Sequence, residues 1–536
     1  MPVVVRRAAQ QFGGDDYIVM LDRRISFREA ERASRRLAKE LLAAGVGKGT
    51  RVGIHLATGP EWAVAFIAAA RIGALTMPFS TIYRPAELQR AMKIGDVAVL
   101  LSSPTILGKD HEAFLEDAIP GLASASAGRL RLPALPYLRS LRLLGPTSRP
   151  WAERSEVTSE GADDVVAGIE ESFLEAIESE VTPADLLIVV FTSGTTADPK
   201  AVIHTQGAVV RKTAPVVGQG LDTTFPGRVL NFMPFFWIGG MQNVVGALQS
   251  GAAVLTLERL EAEPALELAK RERATSFNGN FTTLTSLFGS PDASTTGIES
   301  LRPLPKRPWE GGPSSRGEPP TALGMTETFG AWAGIEDFEV CVVDPETGQD
   351  VPEGQDGEFW VRGYGLMHGL YKREREEAFT PDGFYRTGDR GYLENGLSYF
   401  HGRLIEMIKT KGANVAPAEV EAVLNSFPEV RVSFVMGLPH DDYGQEVAAA
   451  IVPEAGHALD VDAVLAKARK LISPFKVPTT VAVVAEEEIP FLSSSKADKK
   501  AIAAMLARHR EARQGAATGS PAARTKERSP RSSTAR

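Results

Sequence analysis

The 536-residue sequence has a single cysteine, Cys341. One thiol can form neither an internal disulfide nor a cysteine-based metal cluster, and this composition is typical of a reducing compartment. The start of the sequence lacks the apolar segment of a signal peptide. The longest apolar stretch, 62–79, is interrupted by Arg71 and Gly73, so it predicts a buried helix and a strand instead of a membrane span. We therefore expect a cytoplasmic protein without a transmembrane segment.

The sequence also lacks an excess of basic residues. Its 59 lysines and arginines against 67 aspartates and glutamates give a net charge of −8. Phosphate backbones favour clustered positive charge, so nucleic acid is not expected as a partner. The stretch 513–536 is an exception, with six basic residues and the single acid Glu527, and its composition predicts disorder. The rest of the chain carries −13.

The composition otherwise indicates a globular protein, with 43% hydrophobic and 24% charged residues. Ser26 and Glu29 form a capping-box pattern before apolar residues at three- and four-residue spacing, which predicts a helix that ends near Gly45. Apolar runs at 52–56, 74–77 and 97–101 are separated by helical patterns that begin near Pro60 and Pro85. This alternation predicts a mostly parallel sheet covered by helices.

Further along, the pattern changes twice. A weakly patterned, partly acidic stretch from about 130 to 180 is interpreted as a surface connector, and a second βα series runs from 186 to about 287. From Val340, short alternating segments with glycine and aspartate turns predict an antiparallel sheet or a small barrel. A smaller α+β unit is expected after Arg403. The fold class is therefore α/β: two βα-layered subdomains and a small β-barrel in a large N-terminal domain, followed by a small α+β domain.

The sharpest local motif follows the apolar strand pattern 186–191. Residues 192–200 read TSGTTADPK, so hydroxyls, backbone N–H groups and Lys200 lie together after a strand, where they can hold phosphate oxygens. The loop is not a Walker A motif, which occurs nowhere in the sequence. A polar surface turn is the alternative interpretation.

Two further motifs are ambiguous when each is taken alone. Residues 324–328, GMTET, offer a carboxylate and hydroxyls suited to Mg²⁺ beside phosphates, or the N-cap of a helix. Residues 385–389, YRTGD, place Asp389 where a carboxylate can accept hydrogen bonds from a ribose diol, or form a β-turn. The bare sequence leaves both alternatives open.

These motifs occur in a fixed order and are followed by Gly402-Arg403, Lys409, Gly412 and Lys496 six residues after Pro490. In this order they resemble the adenylate-forming superfamily of acyl-CoA synthetases, adenylation domains and luciferases, over about residues 25–505. The resemblance implies an adenylation domain at 1–402, a small mobile lid at 403–512 and a disordered basic tail at 513–536. It is specific for the superfamily and says little about the substrate.

The resemblance also implies roles for individual residues. Catalysis is assigned to Thr192, Glu327 and Lys496, with Glu327 also beside Mg²⁺ and Lys496 bridging the acid and the α-phosphate. The residues implied to bind ATP or AMP are Thr192, Ser193, Gly194, Thr195, Thr196, Lys200, Gly311, Gly312, Pro313, Gly324, Met325, Thr326, Asp389 and Arg403. The acyl pocket is assigned to Phe236, Trp237, Gly239 and Gly240, and the CoA tunnel to Lys411 and Gly412.

The implied activity is an AMP-forming ligase that joins a fatty or other hydrophobic carboxylic acid to CoA, with ATP, Mg²⁺ and CoA as its small molecules. A stand-alone adenylation enzyme that loads a carrier protein is one alternative. A nucleotide-binding relative without catalysis is another, because 301–324 and 329–338 are shorter than in relatives. Ala197 and Ala201 stand where the family has glycines, and alanine at a positive φ costs about 1–2 kcal/mol. His204 and His440 are interpreted as ordinary polar residues.

Overall fold

The computed structural model describes residues 1–157, 166, 168–192, 199–214, 227–259, 261–278, 302–303, 323–333, 337–404, 407–454, 459–490 and 497–518. The helices of these residues are α1 (Pro2–Phe12), α2 (Phe27–Ala43), α3 (Pro60–Arg71), α4 (Pro85–Ile94), α5 (His111–Ala118), α6 (Glu171–Ser179), α7 (Gln206–Lys212), α8 (Ile238–Ser250), α9 (Ala262–Arg271), α10 (Pro417–Leu424), α11 (Val461–Leu471) and α12 (Lys499–Thr518).

The strands fall into sheets of different size. Those up to residue 303 are β1 (Asp16–Val19), β2 (Arg24–Ser26), β3 (Arg51–His55), β4 (Leu75–Pro78), β5 (Val99–Ser102), β6 (Thr105–Ile106), β7 (Lys109–Asp110), β8 (Ser140–Leu144), β9 (Glu153–Ser155), β10 (Leu186–Thr192), β11 (Lys200–Thr205), β12 (Arg228–Asn231), β13 (Ala253–Leu255), β14 (Ser276–Asn278) and β15 (Arg302–Pro303). The later strands are β16 (Gly324–Met325), β17 (Gly330–Ala331), β18 (Phe338–Val343), β19 (Gly357–Gly363), β20 (Gly369–Leu370), β21 (Tyr385–Glu394), β22 (Leu397–Arg403), β23 (Ile408–Thr410), β24 (Ala413–Val415), β25 (Val430–His440), β26 (Gly444–Pro453) and β27 (Thr480–Val483).

Two βα-layered sheets form the first part of the molecule, as the sequence predicted. One has the order β20-β11-β10-β4-β3-β5-β8-β9, and the other β15-β14-β12-β13-β1-β2. The first contains the parallel pairs of β3 with β4 and with β5. The intervening helices begin with Pro60 and Pro85, because a first-turn residue needs no N–H donor. Ser26 and Glu29 form the predicted capping box of α2.

Helix α3 lies in the core that joins the two sheets. It is apolar on nearly every side, which is typical of a buried helix, and Trp62 stacks on Phe66 with ring centroids 5.3 Å apart. Its last residue, Arg71, is also buried. The Arg71 guanidinium donates to Glu178 at 2.5 Å and to Glu31 at 3.0 Å. Helix α6, which lies in the stretch predicted as a surface connector, therefore contributes a buried carboxylate to the core.

The later units are antiparallel or mixed. The unit predicted as a small barrel or sheet is a sheet of four strands, β18-β19-β21-β22, in the described residues. Strand β22 ends at Arg403, and β23 begins the C-terminal sheet β24-β23-β26-β25, with β27 paired to β26. Helices α10 and α11 pack on one core of this sheet and α12 on another. This is the predicted small α+β unit.

The C-terminal helix corrects one predicted boundary. Helix α12 continues to Thr518, so 513–518, the start of the segment predicted as a disordered tail, is helical. Arg513, Gln514, Ala516 and Ala517 favour helix and outweigh Gly515, whereas the serines, prolines and other basic residues of this stretch follow Thr518. Residues 519–536 lie outside the described residues. No helix in the described part of the chain is long and apolar enough to cross a membrane.

Candidate active site

A cavity of about 590 Å³ lies where β10, β11, β21 and the turn 326–328 meet the start of the C-terminal unit. Thr192 ends β10 and Lys200 begins β11, and the two residues pair across this antiparallel hairpin. Both line the cavity, so the predicted phosphate loop between them starts and ends at its wall. The cavity is lined by Thr192, Lys200, Ile238, Gly239, Gln242, Gly324, Met325, Thr326, Glu327, Gly330, Glu358, Tyr385, Arg386, Thr387, Gly388, Arg403, Leu404, Met407 and Asn414.

Glu327, Tyr385 and Lys200 form a polar cluster in the cavity wall. The Tyr385 hydroxyl donates to Glu327 Oε1 at 2.8 Å, and Lys200 Nζ lies 3.7 Å from the same carboxylate oxygen. Lys200 Nζ is also 3.4 Å from the Tyr385 hydroxyl. Burial, followed by the neighbouring Glu327 carboxylate, raises the pKa of Tyr385 well above its ordinary value, so the hydroxyl keeps its proton and acts as a donor. The Lys200 ammonium and the Glu327 carboxylate, which come from distant motifs, thus line the same cavity.

His204 contacts the turn 326–328 that carries Glu327, a contact that the sequence did not indicate. Its Nε2 lies 2.7 Å from the Thr326 carbonyl oxygen, and its ring meets Phe329 edge-on at 5.1 Å. Burial lowers the pKa of His204 to about 4, so the imidazole is neutral near pH 7. Since a carbonyl oxygen can only accept, the proton sits on Nε2. His204 does not line the cavity, so the structure gives it a packing role beneath the wall and no contact with the open space.

The predicted ribose acceptor has a different neighbour. Asp389 is buried and does not line the cavity; its Oδ1 accepts from Arg403 Nε at 2.8 Å. Burial raises the pKa of Asp389, although the Arg403 guanidinium acts in the opposite direction. Arg403, Thr387 and Gly388 do line the cavity. In this arrangement Arg403 therefore stands between the Asp389 carboxylate and the open space.

Of the four residues predicted for the acyl pocket, one lines the cavity and three do not. Gly239 lines the cavity, whereas Phe236, Trp237 and Gly240 do not. Phe236 is buried and meets Trp237 edge-on at 5.6 Å. A Cβ on Gly240 would lie 2.2 Å from the Pro234 carbonyl oxygen, so that glycine is required by close backbone packing. Phe235 packs against Trp62 in the core.

The C-terminal unit closes one side of the cavity. Leu404, Met407 and Asn414 line it, and Asn414 belongs to the hairpin of β23 and β24. Lys411 and Gly412 form the tip of this hairpin with φ values of 51° and 78°, and neither lines the cavity. The Lys411 ammonium lies 4.2 Å from the centre of the Tyr443 ring, which fixes the tip on its own sheet.

The backbone at Ala201 is unstrained. Ala201 lies in regular strand β11 opposite Phe191, and its carbonyl accepts the Tyr371 N–H at 2.8 Å. It has no positive φ, so the strain considered for an alanine here does not arise. Several predicted site residues lie outside the described residues: Ser193, Gly194, Thr195, Thr196, Ala197, Gly311, Gly312, Pro313 and Lys496.

The cavity lining provides part of a coordination shell for the predicted Mg²⁺. The described residues contain no group of three or more His, Cys, Asp or Glu side chains that could enclose a metal ion. The cavity lining offers the carboxylates of Glu327 and Glu358 with the hydroxyls of Thr326 and Thr192; both Glu358 oxygens already accept a hydrogen bond, from the Gly388 N–H and from Trp360 Nε1. Mg²⁺ commonly takes one or two carboxylates plus substrate phosphates and keeps several waters, so this set fits an ion delivered with a polyphosphate.

Two models of one protein family match the chain, one in the large N-terminal part and one in the C-terminal unit. The model of the AMP-binding enzyme family matches residues 5–371, and that of its C-terminal domain matches 419–496. An indoleacetate–CoA ligase of Aromatoleum aromaticum is 26% identical over 513 residues, covering 91% of this chain and 94% of that protein. A mitochondrial medium-chain acyl-CoA ligase of Bos taurus is 25% identical over 524 residues, covering 91% and 84%.

A solved structure has the same overall architecture. The amide bond synthetase McbA from Marinactinospora thermotolerans superposes with a TM-score of 0.75 at 25% identity, covering 94% of this chain and 99% of that one. The family model spans more than half of the sequence, and the α/β fold with its large N-terminal and smaller C-terminal units agrees with it. The chain belongs to the AMP-binding enzyme family of adenylate-forming enzymes.

Proposed function

We propose that this protein is an AMP-forming acid:CoA ligase that activates a hydrophobic carboxylic acid with ATP and transfers the acyl group to CoA. The observation that carries the proposal is the meeting of Thr192, Lys200 and Glu327 around one cavity, which is also lined by Asn414 of the hairpin that holds Lys411 and Gly412. The relatives described above include CoA ligases for an aromatic and a medium-chain acid.

In the first half-reaction an oxygen of the acid attacks the α-phosphorus of ATP. The bond from that phosphorus to the bridging oxygen breaks, and pyrophosphate leaves with the electron pair. Two anions must approach each other, so fixed donors and cations lower the barrier. We assign the phosphates to Thr192, Ser193, Gly194, Thr195, Thr196 and Lys200, and the nucleotide to Gly311, Gly312, Pro313, Gly324, Met325, Thr326, Asp389 and Arg403. Glu327 would hold Mg²⁺, which supplies charge neutralisation on the phosphates.

In the second half-reaction the CoA sulfur attacks the acyl carbon. The carbon–oxygen bond to the phosphate breaks, AMP leaves with that electron pair, and the thiol proton passes to solvent. Lys411 and Gly412 are assigned to the path of the thiol, on the hairpin whose Asn414 lines the cavity. Phe236, Trp237, Gly239 and Gly240 are assigned to the acyl chain, and Gly239 is the one of these that reaches the cavity.

The proposal is tested by supplying the full chain with ATP, Mg²⁺, CoA and a panel of carboxylic acids, with short, medium, long and aromatic members. AMP release and the thioester mass are measured together. We expect AMP and thioester in equal amounts for at least one hydrophobic acid. Acid-dependent AMP without thioester would favour a carrier-protein or amine acceptor, and these are added next; McbA makes the amine a specific alternative. ATP binding without AMP from any acid would leave a non-catalytic nucleotide-binding protein.

Removing the Tyr385 hydroxyl should weaken ATP use selectively. Tyr385→Phe deletes the donor to Glu327, and a hydrogen bond to a charged group contributes about 1.5–3 kcal/mol, so we expect kcat/KM for ATP to fall about tenfold. The KM for the acid should change less than about twofold, because the ring that packs in the wall stays in place. The control is Tyr399→Phe, a buried tyrosine outside the cavity. Equal losses in both variants would contradict a specific role for the Tyr385 hydroxyl.

A further inference from the structure

A buried ion cluster that does not line the cavity joins the C-terminal unit to the N-terminal domain. Lys476 lies in a short turn after α11, and its ammonium is 2.8 Å from Glu87 Oε1 and 2.8 Å from Glu419 Oε1. Glu87 belongs to α4 of the large domain, whereas Glu419 belongs to α10 of the lid. The three side chains are only 9%, 9% and 12% exposed. One cation therefore bridges carboxylates of both units.

The second oxygen of the Glu87 carboxylate accepts hydrogen bonds from both units. The Ser473 hydroxyl, on the lid, lies 2.6 Å from Glu87 Oε2 and 3.3 Å from the Ile82 carbonyl oxygen. The same Glu87 oxygen accepts the Arg84 N–H at 2.9 Å, which fixes the carboxylate on its own helix. We call Lys476, Ser473, Glu87 and Glu419 the lid latch.

The charges of the lid latch make it sensitive to the loss of its lysine. Burial alone would lower the pKa of Lys476, but the carboxylates of Glu87 and Glu419 outweigh this effect and raise the pKa above its ordinary value. Two carboxylates share one ammonium in an interface where all three side chains are largely buried. Removing a single partner of a buried pair leaves uncompensated charge, which is far more costly than the net contribution of the intact pair.

The lid latch holds a particular arrangement of the two units. With α11 packed against α4, the hairpin of β23 and β24 is turned toward the nucleotide cavity, and its Asn414 forms part of the cavity wall. This hairpin carries Lys411 and Gly412 at its tip. The arrangement therefore holds the hairpin that carries the residues assigned to the path of the thiol against the cavity through Asn414, although Lys411 and Gly412 do not themselves line it.

We propose that Lys476 and Ser473 are positioning residues for the thioester-forming half-reaction, because the lid latch they form with Glu87 holds the 408–415 hairpin at the cavity. The inference rests on the ligase function proposed above. It assigns to this interface a role in one half-reaction only: adenylate formation does not need the latch, whereas transfer from the adenylate to CoA does.

The first experiment measures the two half-reactions separately in Lys476→Gln. Acid-dependent ATP–pyrophosphate exchange should stay within about threefold of wild type, while thioester formation from preformed acyl-adenylate should fall roughly tenfold to a hundredfold, since the productive arrangement becomes a minor population. Lys470→Gln, at an exposed position on the same α11, is the matched control and should change neither rate by more than about twofold. Equal losses in both half-reactions of Lys476→Gln would overturn the proposal.

A second variant tests the electrostatic cause. Glu87→Gln in the Lys476→Gln background removes one of the two carboxylates left without a cation, so the double variant should recover about threefold in thioester formation over Lys476→Gln alone. Strictly additive losses would show that the two residues do not act through each other.

A third measurement does not depend on activity, so failure of the proposed function and failure of the lid latch remain distinguishable. Spin labels at Lys93→Cys on α4 and Arg469→Cys on α11, in a Cys341→Ser background, report the distance between the two units. We expect one narrow distance distribution, which Lys476→Gln broadens toward longer distances. Identical distributions with and without Lys476 would overturn the proposal even if no acid were found to be a substrate.

Discussion

Replacing Lys496 with alanine is expected to reduce acid-dependent ATP–pyrophosphate exchange by about a hundredfold to a thousandfold, the effect typical of losing one preorganised group that stabilises transition-state charge. Lys496 is the residue assigned to bridge the carboxylate of the acid and the α-phosphate. Their mutual repulsion is present only when acid and ATP meet. Transfer of the acyl group from preformed acyl-adenylate to CoA should therefore stay within about threefold of wild type.

The measurement is pyrophosphate exchange with the best acid of the panel, followed by single-turnover thioester formation from the adenylate. Lys500→Ala, at an exposed lysine at the start of α12, is the control for a general effect of removing positive charge from this region. The assignment would be contradicted if Lys496→Ala kept pyrophosphate exchange within about fivefold of wild type, or if both half-reactions fell together.

Two lysines of the C-terminal unit are thus expected to have opposite signatures. Loss of Lys496 should impair adenylation and spare transfer, whereas loss of Lys476 should spare adenylation and impair transfer. Both expectations follow from one requirement: a single site must first bring two anions together and then admit a thiol. A small unit that presents different groups to the same cavity at different times meets this requirement.

The elements that the sequence predicted well are those set by local chemistry. The helix after Ser26 was found from its capping box, and α3 and α4 from prolines at their first positions. Strands β3, β4, β5 and β10 were apolar runs of ordinary strand length. Each of these signals needs only neighbouring residues, so one sequence is sufficient to read them.

Contacts between distant residues were not predictable in the same way. The stretch from about 130 to 180 was interpreted as a surface connector, yet its Glu178 is the buried partner of Arg71, 107 residues earlier. His204 supports the Thr326 carbonyl from 122 residues away, and Lys476 meets Glu87 across 389 residues. A charged residue or a histidine in a sequence does not show which distant residue it will pair with or hydrogen-bond, because the pairing depends on the packing of the sheets.

The sequence motifs indicated which residues approach the cavity, but they did not indicate the hydrogen bonds between those residues. Thr192, Lys200, Glu327 and Arg403 do converge on one cavity. Asp389, however, is engaged by Arg403, and Tyr385 was passed over although it is the donor to Glu327. Motif order identifies the residues that approach the cavity; the hydrogen bonds decide which of them are exposed to it and which hold the others in place.

Replacing Glu327 with glutamine is expected to lower kcat for adenylate formation about a hundredfold, since a charged group that stabilises the transition state typically contributes a factor of 10²–10³. The exchange keeps the size of the side chain and an oxygen that can accept from Tyr385, so it removes charge rather than packing. Glu327 is the carboxylate assigned to Mg²⁺, and a neutral amide is a weaker ligand for this ion. The Mg²⁺ concentration for half-maximal rate should therefore rise about tenfold or more.

The measurement is pyrophosphate exchange as a function of Mg²⁺ at saturating ATP and acid, together with the melting temperature of each variant. Glu339→Gln is the control, because this glutamate lies on β18 outside the cavity with its side chain 60% exposed. A fall in rate that Mg²⁺ cannot partly restore, with an unchanged half-maximal Mg²⁺ concentration, would contradict the assignment of the ion to Glu327. If the Glu327 carboxylate is held by Tyr385 to bind Mg²⁺, the rate of the Glu327→Gln variant should depend on the Mg²⁺ concentration. If the side chain is needed only for packing, the rate should not depend on it.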